Sequence, residues 1–137
     1  MPSDLTQAMA ISATGMDAQT ARLRVIAQNI ANQDTTGSTP GADPYRRKTI
    51  TFEAVMDTVN GTGGVQVKNV GIDPSSFPKR FDPSNPAADV QGYVKAPNVS
   101  SFVELLDMRD AERSYSANLS VMQASRAMAN RTIDILK

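Results

Sequence analysis

Glycine and proline are confined to the middle of this chain, and that partition constrains the fold more than any other feature. Seven of the eight glycines and seven of the eight prolines fall between residues 33 and 99. Outside that window only Pro2 and Gly15 occur. The two residue types that interrupt a helix are therefore almost absent from both ends, and each end is free to run as one long helix.

Both ends also carry apolar repeats of seven. In the first, Met9, Met16, Leu23 and Ile30 recur at one heptad position. Leu5 and Ile26 occupy its partner position, with Ser12 and Gln19 as polar interruptions. The pattern predicts a helix from about Ser3 to Asn32, capped by Ser3 or Asp4 and roughly 45 Å long. A second stripe of Ile11, Ala18 and Val25 runs beside the first. At the other end, Leu105, Leu119 and Ile133 share one position. Met108, Tyr115, Met122, Ala129 and Leu136 share its partner, while Glu112 and Arg126 interrupt the seam. A side stripe of Val121, Met128 and Ile135 repeats at seven as well. Two stripes on one helix imply two neighbours, where a dimeric coiled coil needs one stripe. Helices of this kind are expected to be marginal in a free monomer and to gain order from neighbouring subunits.

The middle zone reads differently. Turn signals are dense at Thr36-Gly37, Thr39-Pro40-Gly41, Asn60-Gly61, Gly63-Gly64 and Asn85-Pro86. Between them, residues 48–55 and 65–70 read as short strands, the second alternating cleanly. Residues 73–86 are too rich in proline for a central strand. The expected fold is α+β and mainly α. Long terminal helices pair as an antiparallel, coiled-coil-like hairpin, with a small irregular β and extended-loop segment between them. The corresponding divisions are residues 1–35, 36–98 and 99–137.

Composition narrows the function. Lys plus Arg and Asp plus Glu are 14 each, so the formal net charge is zero. Nucleic-acid binding and attraction to an anionic membrane surface both call for a basic excess. Near-zero charge instead removes a barrier to self-association. Aromatics are only 5% and Trp is absent, so the apolar surface comes from Ala, Val, Ile, Leu and Met, which suits helix seams. No Cys and no His are present, which removes disulfides, the commonest general base and the commonest metal ligand. Neither a secretory leader nor a membrane-spanning stretch is evident, and the ordinary expectation is a cytosolic protein.

Several local patterns invite a chemical reading and are better explained without one. Asp107 and Asp110 share a helix face near Glu104 and Glu112, yet Arg109 and Arg113 lie among them, so a solvated or subunit-bridging face is the better reading than an acid/base pair. Residues 60–64 lack the ending of a phosphate loop and read as a hairpin turn. The basic run Tyr45-Arg46-Arg47-Lys48 is read as a subunit contact before a nucleic-acid contact. Met on the seams suits surfaces that meet several non-identical neighbours, or plain core filling. Asn32 can end the first helix, since Asn tolerates left-handed geometry.

The segment Leu23, Ile26, Asn29-Ile30-Ala31-Asn32, then Thr35-Thr36-Gly37, resembles the amino-terminal signature of flagellar rod and hook proteins. Gln28 stands where that signature has a first Asn, and Ile30 where it has Leu. The block Phe81-Asp82-Pro83-Ser84-Asn85-Pro86, with Gly92-Tyr93-Val94 and Pro97-Asn98-Val99, resembles the middle of one proximal member, with Phe81 and Asn85 departing from its usual Tyr and His. Residues 104–118 resemble the carboxy-terminal helix of the same member.

The resemblance implies a structural subunit of the proximal rod, exported without a cleaved leader by the flagellar type III apparatus and residing in the periplasmic rod of the basal body. It implies helical assembly through the terminal helices and transmission of torque from motor to hook. Implied partners are other copies, sibling proximal and distal rod proteins, the rod-base adaptor, the MS ring and the export gate, with no nucleic acid, no small-molecule substrate, no cofactor, no metal and no catalytic residue. The seams and the signature together nominate Leu5, Met9, Met16, Leu23, Ile26, Asn29, Ile30, Asn32, Leu105, Met108, Tyr115, Asn118, Leu119, Met122, Ile133 and Leu136 as the assembly interface. The competing readings are a sibling axial subunit and a small helical adaptor that dimerises.

Overall fold

The structure, a computed structural model, describes residues 4–57 and 61–135. Ser3, Asn60 and Leu136, all used in the sequence reading, lie outside the described residues. The elements run α1 (Asp4–Ala31), β1 (Lys48–Asp57), β2 (Thr62–Ile72), β3 (Lys79–Phe81), β4 (Tyr93–Lys95) and α2 (Ser101–Ile135). Both helices and the first two strands therefore appear where hydrophobic period and turn residues place them. β1 and β2 form one two-stranded sheet, and β3 and β4 another. The link from β1 to β2 is far too short for a parallel crossover, so they form a hairpin. Gly61 takes a positive φ of 65° in that turn, a conformation open to glycine.

The chain divides into two compact units, each drawing on both helices and the middle zone. One comprises Met1–Leu23, Ile50–Asn69 and Arg109–Lys137. Here the hairpin approaches α1, where the Val65 N–H donates to Thr14 Oγ1 at 3.3 Å and that hydroxyl donates to the Ile11 carbonyl at 2.8 Å. Gly15 lets α1 approach α2, because a Cβ at that position would stand 2.6 Å from Asn118 Nδ2. The buried residues on the two helices are small: Ser12 and Ala18 on α1, Ala111 and Ser125 on α2. Small side chains at a helix crossing bring the axes toward the lower end of the usual spacing. Gln19 Oε1 is buried here without a hydrogen-bond partner among the described residues.

The other unit comprises Arg24–Thr49 and Val70–Met108. The last turns of α1 and the first turns of α2 run antiparallel in it. Asn29 bonds to Glu104, and four residues later Gln33 accepts from the Ser101 hydroxyl, three residues earlier on α2. Val25, Ile26, Ala87 and Val94 supply its apolar core. The antiparallel β3–β4 ribbon pairs Lys79 with Lys95, Arg80 with Val94 and Phe81 with Tyr93. Period-two alternation sends Val94 inward and leaves Phe81 and Tyr93 on the outer face. The three-residue β3 follows Pro78, which agrees with the exclusion of a central strand from this stretch.

One expectation about the first helix is corrected. Asn32 does not end α1 by taking left-handed geometry, since no described residue other than glycine has a positive φ. Its side chain instead donates from Nδ2 to the Gln28 carbonyl at 2.8 Å, and its own carbonyl accepts from the Thr35 N–H at 3.1 Å. The Gln28 carbonyl also accepts the Asn32 backbone N–H at 3.1 Å, so the side-chain amide is a second donor to the same terminal carbonyl.

Candidate functional site: a saturated polar knot and two apolar flanks

Asn29 faces the start of β1 from the last turns of α1 and is 1% exposed. Its Nδ2 donates to the Lys48 carbonyl at 2.9 Å and to Glu104 Oε2 at 3.1 Å. Its Oδ1 accepts from the Lys48 N–H and from the Tyr45 hydroxyl, both at 2.9 Å. Two donors and two acceptors are all that a side-chain amide offers, so every valence of Asn29 is satisfied inside its own chain. The amide grips the Lys48 backbone as a neighbouring strand would.

Glu104, on the first turns of α2, is 0% exposed. A buried carboxylate needs a paired cation and hydrogen bonds. Arg47 supplies the cation, donating from Nε to Glu104 Oε1 at 2.5 Å. The same guanidinium reaches Asp107 Oδ2 at 3.3 Å and Asp73 Oδ2 at 3.7 Å. Burial disfavours the Arg47 charge, but the Glu104 hydrogen bond and the three carboxylates more than offset it and raise its pKa. Burial, then the nearby Glu104 charge, raises the pKa of Tyr45. The Asp73 carboxyl is held below its usual range by hydrogen bonds from Ser75, then by Arg47 and Arg46. Asn98 completes the knot: its Oδ1 accepts from the Arg47 N–H at 2.8 Å, and its Nδ2 donates to the Asp73 carbonyl at 3.1 Å.

The basic run thus has a different use from the subunit contact expected of it. Tyr45 and Arg47 sit in the knot. Arg46 donates to the Asp73 and Ser75 carbonyls at 3.0 Å each and lies 4.1 Å over the Phe77 ring. Lys48 bonds to Gln28 through its ammonium group at 3.2 Å. Asp107 pairs with Arg47, whereas Asp110 is exposed, so the two carboxylates do not form a joint site. No cluster of metal-ligating side chains stands among the described residues.

Sequence reasoning placed Asn29 in the family signature but missed Glu104, Arg47, Tyr45 and Asn98 as its partners. A signal was present. Glu104, Ala111, Asn118 and Ser125 also recur at seven, one position from the apolar stripe. That small and polar stripe faces α1, while Leu105, Leu119 and Ile133 are exposed. Val103, Val121, Met128 and Ile135 are exposed on the opposite side of α2. At 100° per residue, Leu105, Leu119 and Ile133 stand about 100° from the inner stripe on one side, and Val121, Met128 and Ile135 about 60° from it on the other. On α1, Ile26 and Asn29 are buried, and Leu5, Met9, Met16, Leu23, Ile30 and Asn32 are half-buried. On α2, Met108, Asn118 and Met122 are half-buried, and Tyr115 is exposed at the margin of the first flank.

A helix at each end, a turn-rich segment between them and the Asn29-to-Thr36 signature define a class, the flagellar basal-body rod proteins. Residues 9–39 match the family described as flagella basal body rod protein, and residues 90–135 match the carboxy-terminal family of the rod proteins FlgE, FlgF and FlgG. Asn29 lies in the first match and Glu104 in the second. The flagellar basal-body rod protein FlgC of Agrobacterium fabrum is 50% identical over 97% of this chain and 96% of its own length. FlgC of Yersinia enterocolitica is 36% identical over 91% of this chain and 92% of its own, and FlgC of Bacillus subtilis 34% over 93% and 95%. The chain belongs to the FlgC family of flagellar basal-body rod proteins. That is a family of structural proteins, not of enzymes.

Proposed function

We propose that this chain is a structural subunit of the flagellar rod that assembles helically through its two terminal helices and carries torque from motor to hook. The observation that carries the reading is the inversion on α2. The side turned to α1 is small and polar, and the large apolar side chains lie outward on two flanks. A helix with one apolar flank makes a pair. With two, it touches a neighbour on each side, and a head-to-tail contact that does not close yields a helical filament. The expected neighbours are further copies, sibling rod proteins, the rod-base adaptor, the MS ring and the export gate, with passage through the type III apparatus beforehand.

Substitution on a flank tests this. Leu119→Asp places a charge on the first flank, while Ser120→Asp places one on the exposed strip between the flanks. Leu119→Asp, like Leu23→Asp on α1, is expected to abolish swimming and remove the chain from purified basal bodies, and Ser120→Asp to preserve both. Normal motility with Leu119→Asp refutes the flank as an assembly surface.

A further inference from the structure

We propose that residues 36–43 form a rigid strap that swings off the β3–β4 ribbon, and that the Lys95 ammonium group is its salt-sensitive latch. The strap acts within one chain and is independent of the rod-subunit reading. Its interior is well ordered. The Ala42 N–H donates to the Thr39 carbonyl at 3.0 Å, and Gly41 between them takes a φ of 75°. Proline second and a positive-φ glycine third mark Thr39-Pro40-Gly41-Ala42 as a type II turn. The limbs below the turn touch, because a Cβ on Gly37 would stand 2.6 Å from the Ala42 Cβ. At the neck, the Tyr45 N–H donates to the Thr35 carbonyl at 3.0 Å. Joined ends and packed limbs make a compact Ω-loop, which moves as a body. Pro44 is buried at its foot and stays with the core.

The ties from this loop to the ribbon are few and lie at the surface. Lys95 Nζ donates to Asp43 Oδ1 at 3.1 Å and to the Gly41 carbonyl at 3.4 Å. The two side chains of that ion pair are 39% and 68% exposed. Asn85 Nδ2 donates to the Thr36 hydroxyl at 3.3 Å. Among the described residues, these two points are the loop's polar ties to the ribbon, and one ammonium group makes the tie next to the turn. An exposed ion pair shifts an equilibrium by about fivefold at most. It also weakens with salt, as the screening length falls from roughly 10 Å at 0.1 M to roughly 3 Å at 1 M. Inside the neck the situation is opposite. Tyr45 donates its hydroxyl to Asn29, and Asn29 and Glu104 are buried, where salt screens little. The strap therefore opens without the knot, and the pairing of α1 with α2 is kept while the loop exchanges its outer contacts.

The absence of cysteine makes the test direct. The full-length chain with Thr39→Cys at the turn and Val90→Cys on the ribbon, both exposed, is spin-labelled at the two thiols. Pulsed dipolar spectroscopy reads the distance between the labels, and amide exchange at the Lys48 N–H is followed in parallel. One short distance is expected to dominate at low salt. In 1 M KCl a second, longer population is expected to grow roughly two- to fivefold. Lys95→Met shows that population already at low salt, and Lys95→Arg suppresses it. Lys48 exchange stays within threefold of wild type throughout. The same single distance in 1 M salt and in Lys95→Met overturns the strap. So does a longer population that arrives together with loss of Lys48 protection, since the loop then opens only with the knot. The salt series leaves the latch unaltered and decides even where Lys95→Met fails to fold. A second pair, Ser38→Cys with Ser84→Cys, must shift together with the first, and disagreement between the pairs also refutes movement as a body.

Discussion

Replacing Asn29 with alanine is expected to destabilise its unit by about 3–4 kcal/mol, and the size follows from what its amide holds. Four hydrogen bonds disappear. The Tyr45 hydroxyl can turn to solvent and contributes little. The Lys48 N–H, the Lys48 carbonyl and one oxygen of the fully buried Glu104 carboxylate lose a partner in a place that water does not reach freely. An unpaired buried polar group costs about 1–3 kcal/mol, and relaxation brings three of them to the stated total. Amide exchange reads this at one atom, because the Lys48 N–H donates to a side chain. Its exchange is expected to accelerate roughly 10²–10³-fold, at 1.4 kcal/mol per tenfold. Asn29→Asp sharpens the test. It keeps the shape but replaces the Nδ2 donor with an oxygen facing the Lys48 carbonyl and the Glu104 carboxylate, so it is expected to melt below Asn29→Ala. If Asn29→Asp melts above Asn29→Ala, or if Lys48 protection stays within threefold of wild type in both, the amide is not the keystone described.

Arg47→Met removes the cation that compensates Glu104 and is expected to cost about 3–5 kcal/mol, with Arg47→Met plus Glu104→Leu recovering a large part of it in thermal melts. The Tyr45 pKa is raised in the folded chain by burial and then by Glu104, so its stabilising contribution is full below the unfolded value near pH 10 and is lost as pH rises through the folded value. Wild type is accordingly expected to lose melting temperature more steeply above about pH 10 than Tyr45→Phe does. Gly15→Ala is expected to be within about 0.5 kcal/mol of neutral, because the gain in helix propensity offsets displacement of the half-buried Asn118 amide, and a melting shift of many degrees would show that the amide cannot move.

The helices were legible because their ends are punctuated and their interiors are not. The hairpin was legible because residues 65–70 alternate and glycines flank them. What stayed hidden is the side of α2 that faces inward. Large apolar residues at seven are read as the seam, and the rule that hydrophobic residues go inside chooses Leu105 over Glu104. The reverse holds here because the inner position requires small side chains for close approach and one carboxylate to meet Asn29 and Arg47. Those partners lie 75 and 57 residues away in sequence, and no local periodicity reports such a pairing. The run at Tyr45 misled for a related reason: composition marks it as basic, and only tertiary structure brings the three carboxylates that neutralise Arg47. Asn32 was recognised as a helix end, though its mechanism is a side-chain donor and not a backbone twist.

An apolar stripe that repeats every seven residues has an inherent ambiguity: slid by one heptad, it still finds grease opposite grease. A socket with four directional bonds has no such freedom. Moving the last turn of α1 past the first turn of α2 by any step leaves Asn29 facing the wrong atoms. The knot therefore acts as a zero mark on a ruler, assigning one alignment to a pair of surfaces that would otherwise accept several. In the proposed assembly of repeated copies, identical alignment in every copy is a condition for the copies to interlock.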